Sequence, residues 1–380
     1  MNVLYLEPYS GGSHRAFMEG FCRHSGHDVH TATLSDISWK WRMSGGAVSL
    51  AEQCRTLPDN IELIFASSMT NLPAFIALTN PRFARTPCIM YMHENQLTMP
   101  LPDGEQRDET YCYINYLSAL VADELWFSSR FHMEAFFEAL PVFLRKYSDR
   151  SYIDSVNAIQ AKSKVVYPGI ELSHFDVHQS AKRSAAARQT PPVIVWNQRW
   201  EYDRNPQMFS RIINRLDDSD CDFDLILAGD QLHTSAPELQ SLRDRYGDRI
   251  LHYGYVSDME KYGELLHRGD IVLSTSRYEF FCTALMEAVY CGCHPMVPER
   301  LTYPELIPES LHAPLLHAPV FYSSEDELFR KMRRLLLGES KPLPKATLKR
   351  INRHLDWQKH ITAIDDMLEQ AAASSPSPKV

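Results

Sequence analysis

Short apolar runs alternate with stretches of helical spacing along nearly all of the 380 residues. In the first half NVLYLE, DVHTATL, IELIFAS, CIMYMH, DELWFS and KVVYPG read as strands, and helical spacing starts near Ser13, Asn71, Arg107, Arg130 and Ser151. In the second half the strands are VIVWNQ, DLILAG, ILHYGY, DIVLST and HPMVP, with helices from about Pro206, Pro237, Asp258, Phe281 and Asp326. Buried strands separated by helices of about 10–15 residues predict parallel sheets covered on both faces. The alternation breaks once, at 172–192, LSHFDVHQSAKRSAAARQTPP, a polar segment ending in Pro-Pro that reads as a linker. It divides two doubly wound, Rossmann-like α/β domains, 1–171 and 193–356. A helical pattern at 357–370 can cross back onto the first domain. The tail 371–380, AAASSPSPKV, has the composition of a disordered end.

Composition narrows the class. No run approaches the ~20 apolar residues of a membrane span, so no integral membrane association is expected. The N-terminus enters a strand directly, without the basic start of a signal peptide. Eight cysteines are scattered and several sit inside apolar runs, which suits a reducing, cytoplasmic setting. Cys291 and Cys293 form CGC, but no second pair at zinc spacing accompanies them, so no metal site is expected. The net charge of −9 argues against a generally basic nucleic-acid binder. Yet Arg330–Lys359 holds ten Lys/Arg against two Asp/Glu, a local +8 that leaves about −17 elsewhere. That stretch is either an anion-facing surface or a solvated helical face.

Four constellations carry candidate chemistry. In EPYSGGSHRAF a strand ends at Glu7, and Gly11-Gly12 lead into a helix whose free amides can meet an anion, although Gly-Gly also serves plain turns. In YMHENQLTMP, His93, Glu94 and Asn95 stand just past a strand's carboxyl end, facing a ligand or bonded within their own loop. In WNQRWEYDRNP, Arg199 and Arg204 flank the entry to a helix. Their planar forks can hold a diphosphate, or can pair with Glu201 and Asp203. In EFFCTALMEA, Glu279 and Glu287 lie eight apart across a strand-to-helix turn, where open α/β sheets bind ligands. Two other signals carry little. DSDCDFD, 218–224, contains the letters DxD but reads as loop and cap residues, and Ser274 and Ser276 lack a nucleophile elbow.

Gly-Gly and His after the first strand, Arg-x4-Arg opening the second domain and Glu-x7-Glu near its end together resemble the retaining glycosyltransferases of the GT-B fold, two Rossmann-like domains facing across a cleft. More specifically, the chain resembles the tRNA-queuosine α-mannosyltransferases. Gly11-Gly12-Ser13-His14, MHENQL at 92–97, QRWEYDRNP at 198–206, HYGY at 252–255, EFFCTALMEAVYCGCHP at 279–295 and the YPE that follows carry the likeness.

The resemblance implies roles. Arg199 and Arg204 neutralise the donor diphosphate, and Glu287 holds the ribose hydroxyls. Glu279 contacts the donor sugar. Gly11, Gly12 and the turn of Phe281, Cys282 and Thr283 approach the phosphates. His93 stands beside the reacting sugar, with Asn95 and His14 nearby. The implied reaction moves mannose from GDP-mannose to the cyclopentenediol of queuosine in a tRNA anticodon, with retention and without a metal. Relatives have glycine where Cys282 stands; if that turn needs a positive φ, cysteine weakens donor binding. Tyr111, Tyr113, Tyr116 and Trp126 are candidate platforms for splayed bases. The alternatives are another donor sugar, a lipid or glycan acceptor met through the aromatic, basic-ended helix from Arg130, or a non-catalytic RNA-binding protein.

Overall fold

The computed structural model describes residues 1–102, 104–146, 152–181, 191–229, 237–312 and 316–374. The chain divides into two compact units, Met1–Ile170 with the segment from Trp357, and Glu171–Asp356. Of the segment expected as a linker, Ser173–Ala181 forms a 3-10 helix and 182–190 lie outside the described residues. The tail expected from 371 begins within a helix, Trp357–Ala373, and 375–380 also lie outside them.

The first unit holds strands β1 (Asn2–Ser10), β2 (Asp28–Ser35), β3 (Leu63–Ser67), β4 (Cys88–Met92), β5 (Glu124–Phe127) and β6 (Ser163–Val165). They pair in parallel in the order β2-β1-β3-β4-β5-β6. Every residue of β3 and β4 is buried, as their unbroken apolar sequences LIFAS and CIMYM require of a sheet covered on both faces. The second unit holds β7 (Val193–Trp196), β8 (Asp224–Ala228), β9 (Ile250–Gly254), β10 (Ile271–Leu273), β11 (His294–Pro298) and β12 (Phe321–Tyr322). Their order is β12-β11-β10-β7-β8-β9, again all parallel. Strand order reverses between β1 and β3 in one unit and between β7 and β10 in the other. A doubly wound sheet opens a crevice at such a reversal, beyond the carboxyl ends of its strands.

All eleven expected strands form, and a two-residue twelfth, β12, joins them. The expected helices also form, but Trp39–Gln53 is an addition. Its buried face is Met43, Gly46, Ala47 and Leu50. Half of that face is glycine or alanine, so the apolar spacing that marks a helix is faint in WKWRMSGGAVSLAEQ. Lys345–Asn352 and Tyr303–Leu306 were likewise hidden by their shortness. Among the described residues no helix is long and apolar enough to cross a membrane.

An aromatic cluster fills one face of the first sheet. Phe17 stacks on Tyr91 with ring centroids 4.5 Å apart, and Phe21 stacks on Phe65 at 5.5 Å. Trp357 joins them, 5.3 Å from Phe17, and its backbone N–H bonds the Ile170 carbonyl at 3.0 Å. A Cβ on Gly20 would lie 2.1 Å from the Trp357 Nε1, so the indole occupies the space that glycine leaves. Trp357 thus fixes the C-terminal helix to the first unit. Trp357→Ala is expected to lower stability by about 3–5 kcal/mol, the range for truncating a large buried aromatic. Denaturant unfolding of the variant checks this; a loss below about 1 kcal/mol would show that the indole is not part of the core.

Candidate active site

The second unit presents its charged groups at the reversal between β7 and β10. Beyond β7 the chain runs through Asn197, Gln198 and Arg199 to a 3-10 turn, Tyr202–Arg204, and then the helix Pro206–Asp217. Asn205 opens that helix with φ 56°, its side chain accepting from the Met208 N–H at 3.3 Å, and Pro206 takes the first helical position. Beyond β10 come Ser274, Thr275 and Ser276, then Glu279 and the helix Thr283–Tyr290.

These two connections are bonded together. The Thr275 hydroxyl donates to the Arg204 carbonyl at 2.8 Å, and the Arg277 N–H donates to the Asp203 carbonyl at 2.8 Å. Arg204 donates through Nη1 to the Tyr278 carbonyl at 3.0 Å and to the Glu279 carboxylate. Asp203, buried, bridges the two arginines: its Oδ2 lies 3.6 Å from Arg204 Nε and 3.5 Å from an Arg199 amine. Arg199 also reaches Glu201 at 3.2 Å. Its side chain is 48% exposed against 11% for Arg204, so the two differ in kind. Burial works against the Arg204 charge, but Glu279 and Asp203 outweigh it and hold the guanidinium protonated. Burial pushes the Glu279 carboxyl up, and Arg204 pulls it back only in part. Both expected arginines are therefore present, each bonded to acids. Sequence reasoning read Asp203 only as a rival partner, whereas it is the group that joins them.

Cys282 precedes the helix with φ −101°. That is ordinary backbone for any residue, so cysteine imposes no strain of the kind expected if the turn were left-handed. Its thiol is pushed up by burial and then by the Glu279 carboxylate, and stays protonated. Phe281 and Thr283, half-buried, flank it. No side chain caps this helix and its first turn carries no acid, which leaves its amides to an anion. Glu287 lies one turn in. The Tyr262 hydroxyl donates to its carboxylate at 3.0 Å, and the Asn197 amide donates to Tyr262 at 2.9 Å and to the Ala284 carbonyl at 2.7 Å. Tyr262 and Asn197 were not singled out in the sequence; nothing in their spacing signals them. Burial raises the Glu287 carboxyl to about 7, against the lowering effect of Tyr262.

The first unit gathers its groups at the reversal between β1 and β3. Gly12 opens the helix Gly12–His24 with φ 50°, and a Cβ on Gly11 would lie 2.2 Å from the Asp36 carboxylate, so both glycines are required by the turn. His14 Nδ1 stands 3.0 Å from Glu7 Oε2. The other Glu7 oxygen accepts from Ser67 Oγ at 3.0 Å and the Tyr9 N–H at 2.9 Å. The His93 ring lies 4.3 Å from the His14 ring. Burial, then His14 and His132, drive the His93 imidazole well below its usual range, so it is neutral. Its Nε2 is buried without a hydrogen-bond partner. Glu7, which sequence reasoning treated only as a strand end, is the buried anchor of this pair. Glu7, His14 and His93 have ligand atoms within 4.8 Å of one another, a spacing a metal could span. The Glu7 oxygens, however, are already taken by Ser67, Tyr9 and His14. Asn95 is buried with its oxygen accepting from Thr98 N and Oγ1, both at 3.0 Å. That side is bonded within its own loop, while its Nδ2 has no partner.

Other expectations sort by burial. Trp126 and Tyr116 are core residues and Tyr111 is buried, so of the four proposed platforms Tyr113 is the exposed one. The helix Arg130–Leu144 turns Phe136, Leu140, Phe143 and Leu144 into the core, while Phe131 and Phe137 are half-buried. Asp218 ends a helix, Asp220 takes φ 56° in the turn, and Asp224 starts β8, so DSDCDFD is a connection. In the basic stretch, Lys331 pairs with Glu327 at 2.6 Å and Lys349 with Asp176 at 2.6 Å, while Arg330, Lys345, Arg350 and Arg353 are exposed.

Paired guanidinium and carboxylate groups thus stand at the switch point of a Rossmann-like sheet, where such sheets bind ligands. Residues 178–350 match the family model described as glycosyl transferases group 1. Sucrose-phosphate synthase from Thermosynechococcus elongatus superposes with a TM-score of 0.72, at 14% identity over 99% of this chain and 100% of that one. The Anabaena protein HepE, solved with UDP and glucose, gives 0.66 at 16% identity over 97% and 100%. The protein is a glycosyltransferase of the GT-B fold.

Residues 2–170 match the model for the N-terminal part of tRNA-queuosine alpha-mannosyltransferase. The Drosophila melanogaster protein of that name is 30% identical over 314 residues, 81% of this chain and 82% of that one. The chain belongs to the tRNA-queuosine alpha-mannosyltransferase family.

The Glu287 carboxyl gives a pH signature. Raised from 4.5 to about 7, it favours the folded state below about pH 4.5, and that contribution is lost as pH rises through 7. Glutamine has no such loss. The Tm of Glu287→Gln, measured relative to wild type, should therefore rise between pH 4.5 and pH 8; a difference that stays flat with pH would place Glu287 in water.

Proposed function

We propose that this enzyme transfers mannose from GDP-mannose to the cyclopentenediol of queuosine in a tRNA anticodon, with retention at the anomeric carbon. The observation that carries the reading is family membership combined with the part-buried Arg204–Glu279 and Tyr262–Glu287 pairs at the switch point of the second unit. Arg204 and Arg199 take the donor diphosphate. Arg204 Nη2, which has no hydrogen bond among the described residues, is the natural first contact for a phosphate oxygen. The uncapped start of the Thr283–Tyr290 helix supplies amides to the same charge. Glu287, oriented by Tyr262, accepts from the ribose hydroxyls. Glu279 accepts from a sugar hydroxyl while it steadies Arg204.

The chemistry follows from where charge develops. As the sugar–phosphate bond breaks, negative charge gathers on the departing diphosphate and the anomeric carbon becomes oxocarbenium-like. Fixed cations and amides stabilise the first change, the electrostatic term that usually dominates. Guanidiniums can supply that charge without a metal. The acceptor hydroxyl attacks the face the diphosphate leaves, and the diphosphate takes its proton. In the first unit His93, held neutral, can bond a hydroxyl without presenting a positive charge. All eight cysteines are free thiols, which fits our placing of the reaction in the cytoplasm with its RNA acceptor.

The test is transfer of labelled mannose from GDP-mannose to queuosine-containing and queuosine-lacking tRNA. Label on the queuosine-containing tRNA alone is expected. Arg204→Ala should lower the rate by about 10²–10³-fold, the usual effect of removing one electrostatic stabiliser. Label on neither tRNA, or on both equally, contradicts the acceptor.

A further inference from the structure

We propose that Trp41, with Lys40 beside it, is a stacking platform for an unpaired base of the RNA acceptor. This rests on the reading that the acceptor is an RNA, and it assigns a contact surface for it. The sequence ISWKWR, Ile37–Arg42, interleaves aromatic and basic side chains, and the fifteen residues Ile37–Ala51 contain two cations and no carboxylate. Two tryptophans two apart on a helix point about 200° from one another. Trp39 turns inward, its ring 5.0 Å from the buried Tyr111. Trp41 turns outward and is 64% exposed, as is Ile37.

The outward indole is held in place. A Cβ on Gly45, one turn along, would lie 2.9 Å from the Trp41 ring, so the indole lies against the helix surface that glycine leaves bare. Arg42 closes the turn before it, donating from Nε to the Ser35 carbonyl and from Nη2 to the Ser35 hydroxyl, both at 3.0 Å. Lys40 is exposed, its Nζ 5.7 Å from the Trp39 ring. An open π-face on a fixed ring with a cation beside it suits a base and its phosphate. The location fits too. This turn follows β2, and Asp36 just ahead of it packs against Gly11, on the strand rim that carries Gly12 and His14. A membrane is a poorer partner, because the outward positions that follow Trp41 are Ser44, Val48 and Glu52, which form no apolar face.

The experiment compares wild type, Trp41→Ala, Trp41→Phe and Gly45→Ala for the KM of queuosine-containing tRNA and of GDP-mannose in the transfer assay. Direct binding to that tRNA, to an RNA duplex and to anionic phosphatidylserine vesicles is measured alongside. Trp41→Ala should raise the tRNA KM and Kd about ten-fold and leave the donor KM unchanged. Trp41→Phe should recover most of the loss. Gly45→Ala, which favours the helix but displaces the indole, should fall between. Wild type that labels tRNA while Trp41→Ala keeps its tRNA KM overturns the platform and leaves the function standing. An equal loss on duplex, or a loss confined to vesicles, also overturns it. Wild type that neither labels nor binds tRNA overturns both.

Discussion

The second unit is organised by one buried charge. Arg204 is nearly out of water, and an ionised group there is tolerated only when opposite charge and hydrogen bonds surround it. Asp203 and Glu279 supply the charge, and the Tyr278 carbonyl supplies a further acceptor. Because those partners come from the two connections that flank the switch point, satisfying the guanidinium fixes both. Burial, then Glu279, keeps Cys282 protonated against the pull of Arg204, and Asp203 brings Arg199 in. The arrangement is acidic as well as basic. An anion arriving here would compete with carboxylates for the arginines.

The first unit applies the same physics to a histidine pair. Glu7 is fully buried, and three donors, Ser67, Tyr9 and His14, make that possible. His93, packed against Tyr91, Phe17 and His14, has lost too much water to take the second proton that would charge it. One imidazole is held by a carboxylate and the other is kept neutral. Each is placed beyond a strand's carboxyl end by a local rule, a Gly-Gly turn after β1 and the end of an unbroken apolar strand in β4.

The strands were legible because their apolar runs are long enough to be read one by one, and the helices that bury a row of large side chains were legible with them. Trp39–Gln53 was not, since glycine and alanine pack it and leave little hydrophobic signal. In the site, Arg199, Arg204, Glu279 and Glu287 could be picked out as charged residues at strand-to-helix turns. Most of their partners could not. Asp203 reads in the sequence only as a rival partner, while Tyr262 meets Glu287 across 25 residues, Asn197 meets Tyr262 and Ala284 across 65 and 87, and Glu7 meets Ser67 across 60, separations no local pattern records. Burial sorted the aromatics: Trp126 and Tyr116, plausible on composition, are core, while the exposed Trp41 drew no notice within a helix that was itself unseen.

The central claim is that the Arg204 cluster holds the diphosphate of a nucleotide sugar. It is tested most directly by calorimetric titration of guanosine, GMP and GDP into the wild-type protein. The account predicts that affinity rises about ten-fold or more with the second phosphate, as charge-assisted hydrogen bonds to a guanidinium require. Equal affinity for guanosine and GDP would contradict it, because the buried arginine would then have no part in binding phosphate.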